Sequence, residues 1–196
     1  MIISKDSAIF LNSIFDNYTD ITEINFTKRF HPTASRIKKV LDEMKINPTD
    51  CQMIRIEETS NKLAVPPHAD ASQGHESIIV PLSFIGKVHT IVFSSLYLDK
   101  GDAKGYKYRP SRNKYYKDEW LSSEDEMLSN LSNKPFTHKK YKSLLSYLPK
   151  EDLFGLSIEK VLLWKERKAI KFKSNQLHSG SNYKGKKRWL LIIKKQ

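Results

Sequence analysis

The chain has 196 residues, 39% of them apolar, and a formal net charge of +12 from 34 Lys/Arg against 22 Asp/Glu. That length fills one domain and is short for two, and nine Phe, nine Tyr and three Trp supply enough core to exclude wholesale disorder. Cys51 is the single cysteine, which excludes an intramolecular disulfide, and no apolar run approaches the ~20 residues that span a bilayer.

Met1-Ile2-Ile3 gives way at once to Ser4, Lys5 and Asp6, too short and too polar for a signal peptide. The expectation is one cytoplasmic domain over residues 1–196 with no membrane contact. Residues 1–50 read as helical support. Leu11, Ile14, Phe15 and Tyr18 fall at helical spacing, as do Ile37, Val40, Leu41 and Met44. Thr33 is the expected N-cap of the second helix, and Asn47-Pro48-Thr49-Asp50 closes it with turn residues.

Strand signals follow over residues 51–98. Met53-Ile54-Arg55-Ile56-Glu57 alternates, Ser77 to Leu82 is nearly all apolar, and Thr90-Ile91-Val92-Phe93 is rich in β-branched residues. Pro81 has no N–H to give a ladder, which predicts an edge or a bulge there. Residues 99–155 change character and read as an insertion or lid. Between Lys100 and Lys117, seven Lys/Arg and one Asp are interleaved with tyrosines. Such a stretch suits a substrate-covering loop, a solvated loop or a nucleic-acid contact. Two short helices follow: one opens with the capping box Ser123-x-x-Glu126, and the other carries Tyr141, Leu144, Leu145 and Leu148 on one face. Residues 156–196 return to strands at 161–164, 169–172 and 188–193. From Lys160 onward, twelve Lys/Arg face one Glu, a charge of +11. A basic face attracts nucleic acid or acidic small molecules, and lysines alternating with apolar residues also describe a half-exposed strand. The order of elements predicts a mainly β sandwich or barrel with helical additions.

His68-Ala69-Asp70 and the distant His178 together form the set that holds non-haem Fe(II) on one face and leaves the other open. On a strand, residues two apart share a face and lie roughly 6.6–6.8 Å apart, so His68 and Asp70 can lean onto one ion while Ala69 points away. His-x-Asp alone is a weak signal. Its combination with His178 is stronger, because Ser179-Gly180 and Gly185 then turn the chain back and Arg188 opens an apolar strand ten residues later.

This pattern resembles the Fe(II)/2-oxoglutarate-dependent dioxygenase superfamily, whose ligands run His-x-Asp … His with a basic residue soon after. The run His178-Ser179-Gly180 … Gly185-Lys186-Lys187-Arg188-Trp189 is most similar to the prolyl-hydroxylase-like branch. The resemblance implies a double-stranded β-helix (jelly-roll, cupin-like) core, flanked by N-terminal helices and a partly helical insertion. It also implies His68, Asp70 and His178 as iron ligands and Arg188 as the anchor of the 2-oxoglutarate carboxylate, with Lys186 and Lys187 as alternatives. Thr90 stands where the branch has a carboxylate-contacting Thr, but Val88-His89-Thr90-Ile91-Val92-Phe93 lacks the glycines that precede it there. The implied reaction consumes O2 and 2-oxoglutarate, yields succinate and CO2, and hydroxylates a C–H bond; ascorbate is an admissible auxiliary reductant. Asp70 favours hydroxylation, since halogenating relatives carry a small residue there.

The open substrate classes are a peptide, a free amino acid, a nucleobase and a small metabolite. The rival readings are a basic nucleic-acid-binding protein, an oxygenase acting on nucleic acid, and a metal protein of the same fold without oxygenase chemistry. His31, His75, His89 and His138 fit no ligand spacing, and nothing beside Cys51 in sequence would activate it as a nucleophile.

Overall fold

The structure, a computed structural model, describes residues 1–18, 21–24, 27–59, 67, 75–96, 136–137, 139, 141–148, 150–153, 156–181 and 188–196. These residues form a mainly β molecule of two antiparallel sheets and few helices. The larger sheet is built from β1 (Thr22–Ile24), β2 (Thr27–Phe30), β3 (Cys51–Thr59), β4 (Glu76–Phe84), β7 (Ile170–Lys173) and β9 (Arg188–Lys195) in the order β1-β2-β3-β9-β4-β7. The smaller is β6-β5-β8, from β5 (His89–Leu96), β6 (Ile158–Leu163) and β8 (Gln176–Gly180).

Side-chain alternation assigns the faces of both sheets. Ile54, Ile56, Ile78, Val80, Leu82, Leu191 and Ile193 of the large sheet pack outward against Leu11, Ile14, Phe15, Val40 and Leu41. Those partners come from α1 (Lys5–Asp16) and α2 (Lys38–Glu43). The opposite face of the large sheet gives Ile79, Phe172, Leu190 and Ile192, which meet Val92 and Trp164 in the space between the sheets. The smaller sheet has its own outer cover. Ile91, Phe93 and Leu177 pack against Phe136, Leu144, Leu145, Leu148, Leu153 and Leu156, from the region of α3 (Tyr141–Leu144). The layers therefore run helices, large sheet, small sheet, helical insertion. Each fully buried Leu or Ile in these layers contributes about 1.5–3 kcal/mol of transfer free energy.

Local signals explain where elements begin and end. Ser4 caps α1 by accepting from the Ser7 N–H at 3.1 Å. Asn47 Oδ1 accepts from the Thr49 N–H at 3.1 Å and sets the 3-10 turn Pro48–Asp50 that leads into β3. Pro81 sits where β4 shifts register against β9 and beyond the stretch paired with β7, so its missing N–H costs no ladder bond on that side.

Three features differ from the sequence expectation. The first 50 residues are not wholly helical, because β1 and β2 form a hairpin there that extends the large sheet. Thr33 does not cap α2; its hydroxyl lies 3.0 Å from that of Ser35, and a turn over residues 34–37 intervenes, with Ile37 at the cap position. The strand β8, which contains His178, falls between the strands expected at 169–172 and 188–193. The Lys100–Lys117 loop, the Ser123 capping box and His138 lie outside the described residues. Among the described residues, no helix is long and apolar enough to cross a membrane.

Candidate functional site

β8 starts from a two-residue corner. Ser174 donates its N–H to the His75 carbonyl at 2.9 Å, and its hydroxyl meets that of Ser77 at 2.8 Å, tying the corner to the start of β4. The chain then leaves the large sheet and enters the small one. Leu177 points to the outer cluster, so His178 points inward, where it is buried and its ring lies 4.4 Å from that of Phe172. Its Nδ1 is 3.0 Å from the Gln176 carbonyl oxygen. A carbonyl can only accept, so Nδ1 carries the hydrogen; in the neutral ring the lone pair is then on Nε2, the form a metal ligand needs.

Thr90 shares that inner face. Val92 is the ladder partner of His178 and Thr90 is the partner of Gly180, so Thr90 and His178 are diagonal neighbours on β5 and β8, about 7–8 Å apart by strand geometry. Thr90 is buried, and its hydroxyl oxygen accepts from Trp164 Nε1 at 2.9 Å. That acceptance leaves the hydroxyl proton to donate to an anion. Tyr147 closes the end of β8, donating to the Gly180 carbonyl at 2.7 Å and pairing with the Ser179 hydroxyl.

The structure thus brings two of the predicted site residues, His178 and Thr90, onto one inner face. His68, Asp70, Lys186 and Lys187 lie outside the described residues; of the segment before β4, Pro67 is described and buried. Arg188 is the first residue of β9 and pairs with Thr59 on one side and Phe84 on the other, but its side chain is outside the described set. Among the described residues, no three His, Cys, Asp or Glu side chains group around a common point that could hold a metal. Of the three predicted ligands that search covers His178.

Cys51 and the lysines of the C-terminal strands behave as the sequence suggests. Burial, and then Asp50, push the Cys51 thiol above its ordinary range, the opposite of what a nucleophile needs. Trp164 is buried between the sheets, and Trp189 packs edge-on to Phe15 at 4.6 Å. In β7 the exposed Lys171 and Lys173 flank buried Phe172, the pattern of a half-exposed strand, and Lys171 is paired with Glu76 at 2.9 Å.

One charged group escapes sequence reasoning. Arg55 and Glu57 alternate with Ile54 and Ile56, which reads as a solvated face. Here Ile54 and Ile56 face the outer helices, so Arg55 and Glu57 share the inner face with Met53, which packs into the inter-sheet cluster. Arg29, directly opposite Glu57 in register, joins them from β2. Glu57 Oε2 lies 3.1 Å from Arg55 Nε and 3.5 Å from Arg29 Nε. The available signal was the basic Lys28-Arg29 pair in a stretch whose alternation is too short to stand out.

No family model matches the sequence, and no curated protein matches it. Several solved structures superpose on the chain. The non-heme alpha-ketoglutarate-dependent epimerase SnoN from nogalamycin biosynthesis superposes with a TM-score of 0.52 at 10% identity, over 98% of this chain and 74% of that one. The E. coli protein ycfD gives 0.41 at 11% identity, with 91% of this chain and 36% of that one covered. Cellulomonas parahominis L-ribose isomerase gives 0.35 at 10% identity, over 73% of this chain and 48% of that one. This chain therefore spans about a third of the length of the E. coli protein and about half that of the isomerase.

Proposed function

We propose that this chain is an Fe(II)/2-oxoglutarate-dependent dioxygenase that hydroxylates a C–H bond. The observation that carries the proposal is the inward-facing His178, its Nδ1 fixed on a backbone carbonyl, on the same sheet face as the Thr90 hydroxyl. Strand order supports it. Two antiparallel sheets, β1-β2-β3-β9-β4-β7 and β6-β5-β8, with an inter-sheet cluster between them are in keeping with the proposed jelly-roll core. His68 and Asp70 belong to the stretch of sequence between β3 and β4. The fold likeness to an epimerase that uses alpha-ketoglutarate is in keeping with this reading.

Iron, when bound, would supply the O2 activation and oxidising power of the reaction. The chain's own residues would do the rest. His68, Asp70 and His178 would hold the ion and leave about three coordination sites open. The Gln176 carbonyl would keep the His178 ring in its ligand tautomer. Arg188, which shares strand parity with Leu190 and Ile192 of the inter-sheet cluster, would grip the distal carboxylate of 2-oxoglutarate in a two-pronged, charge-assisted contact, with Thr90 donating to the same group. Val92, Phe172, Leu190 and Ile192 would exclude water from the reacting centre.

Succinate release from 2-oxoglutarate under aerobic conditions with added Fe(II) tests the assignment. The wild-type chain should produce succinate, and His68→Ala and Asp70→Ala should not. Equal succinate from all three would refute it.

A further inference from the structure

Gln176 holds His178 through its backbone, and its own side chain is held in turn. The Gln176 carbonyl oxygen lies 3.0 Å from His178 Nδ1. Gln176 is buried, and its Nε2 donates to the Phe93 carbonyl at 2.8 Å and to Glu159 Oε2. A carbonyl and an ionised carboxylate can only accept, so the nitrogen end of the amide must point at both, one hydrogen to each. Glu159 Oε1 is 2.9 Å from Lys160 Nζ, which leaves Oε2 to Gln176.

The small sheet breaks its register on both sides of β5 at this level. On the β6 side Val92 pairs with Lys160 and Phe93 with Ile158, so Glu159 is the extra residue of a bulge. On the β8 side Val92 pairs with His178 and Leu96 with Gln176, so residues 93–95 stand opposite Leu177 alone. Such a break leaves main-chain groups without ladder partners and re-aims side chains. The Gln176 amide fills it, reaching across β5 to take up the Phe93 carbonyl and meet Glu159. Glutamate at 176 would set like charge against Glu159, and leucine would leave the Phe93 carbonyl without this donor. Among the described residues β8 is the outer strand of its sheet, and its ladder is interrupted at Gln176. The side-chain anchor supplies there the hold that the ladder lacks.

We propose that Gln176 is a positioning residue: its side chain, pinned between the Phe93 carbonyl and Glu159, sets the Gln176 carbonyl and through it the tautomer and orientation of the His178 ring. That the ring so set is an iron ligand rests on the oxygenase reading above. The role extends to Glu159, an exposed carboxylate on another strand that makes its contact with Gln176 and not with the ring.

The test reads the His178 ring nitrogens by NMR in the full, metal-free chain, and Mn(II) affinity by calorimetry. The wild-type ring should carry its hydrogen on Nδ1 alone. Gln176→Leu and Glu159→Leu should both show hydrogen on Nε2 as well. Mn(II) binding should weaken about 10–100-fold in Gln176→Leu, as loss of an outer partner of a ligand implies, and by less in Glu159→Leu. Glu159→Gln keeps an acceptor oxygen and should retain the single tautomer. Glu159 is exposed, so its variants decide the matter even where Gln176→Leu fails to fold. A ring unchanged in either folded Leu variant, a ring as mixed in Glu159→Gln as in Glu159→Leu, or Mn(II) binding indifferent to a mixed ring would each overturn the role. The ring readout needs no metal. A mixed ring in the Leu variants of a chain that binds no Mn(II) and makes no succinate would uphold the positioning role and defeat the oxygenase reading.

Discussion

Thr90 is expected to serve stability and co-substrate binding through the two halves of one hydroxyl. Its oxygen accepts from Trp164 Nε1 at 2.9 Å, with both residues buried. Thr90→Val keeps the shape and removes that acceptor, which costs about 1–3 kcal/mol for a buried donor. For a chain of this size each kcal/mol moves the melting temperature by roughly 2–4 °C, so the midpoint should fall by several degrees. Thr90→Ser keeps the oxygen and loses one methyl, and should cost about 1 kcal/mol or less. Urea denaturation gives the stability and calorimetry with Mn(II) present gives the 2-oxoglutarate affinity. The Val variant should lose stability and also bind 2-oxoglutarate about tenfold more weakly, as loss of one hydrogen bond to a charged group implies, while Ser should retain most of both. A Val variant as stable as wild type would refute the energetic reasoning. Unchanged 2-oxoglutarate affinity would remove Thr90 from the site.

Two further outcomes test the fold. Leu145 is fully buried between the helical insertion and the small sheet, so Leu145→Ala should destabilise the whole molecule by about 2–5 kcal/mol in urea. A near-neutral effect would show that this stretch is not part of the cooperative core. Glu43 accepts from the Ser4 N–H at 2.9 Å and from the Ser7 hydroxyl at 2.8 Å, and these bonds lower its carboxyl below the ordinary 4.5. A lowered carboxylate stabilises the fold above its unfolded value, and the contribution is lost as pH falls through the folded one. Glu43→Gln should therefore flatten the fall in urea midpoint between about pH 5 and 3, and a slope identical to wild type would contradict that linkage.

The sequence carried the strands richest in apolar and β-branched residues. β5 and the strands at 161–164 and 188–193 were legible as short continuous runs of β-branched and apolar residues, and 169–172 as an alternating one. β2 was not, because its four residues hold Thr, Lys, Arg and Phe and owe their pairing to partners on β3 far along the chain. The inner and outer faces of β3 could not be assigned from alternation alone. Ile54 and Ile56 look like the inward residues, yet helices cover their side and the charged residues face the second sheet. His178 and Thr90 stood out by residue type, and the structure adds the face they share. The Gln176 contact that fixes the His178 ring involves a backbone carbonyl, which no residue letter announces.

The claim on which the function rests is that His68, Asp70 and His178 grip one divalent ion. Calorimetric titration with Mn(II), on the wild-type chain and on single alanine variants at these three positions, tests it most directly. The wild-type protein should bind one Mn(II) per chain and take up 2-oxoglutarate more tightly once the metal is present, and each variant should lose the site. Mn(II) binding unchanged in all three variants, or 2-oxoglutarate affinity indifferent to the metal, would contradict it.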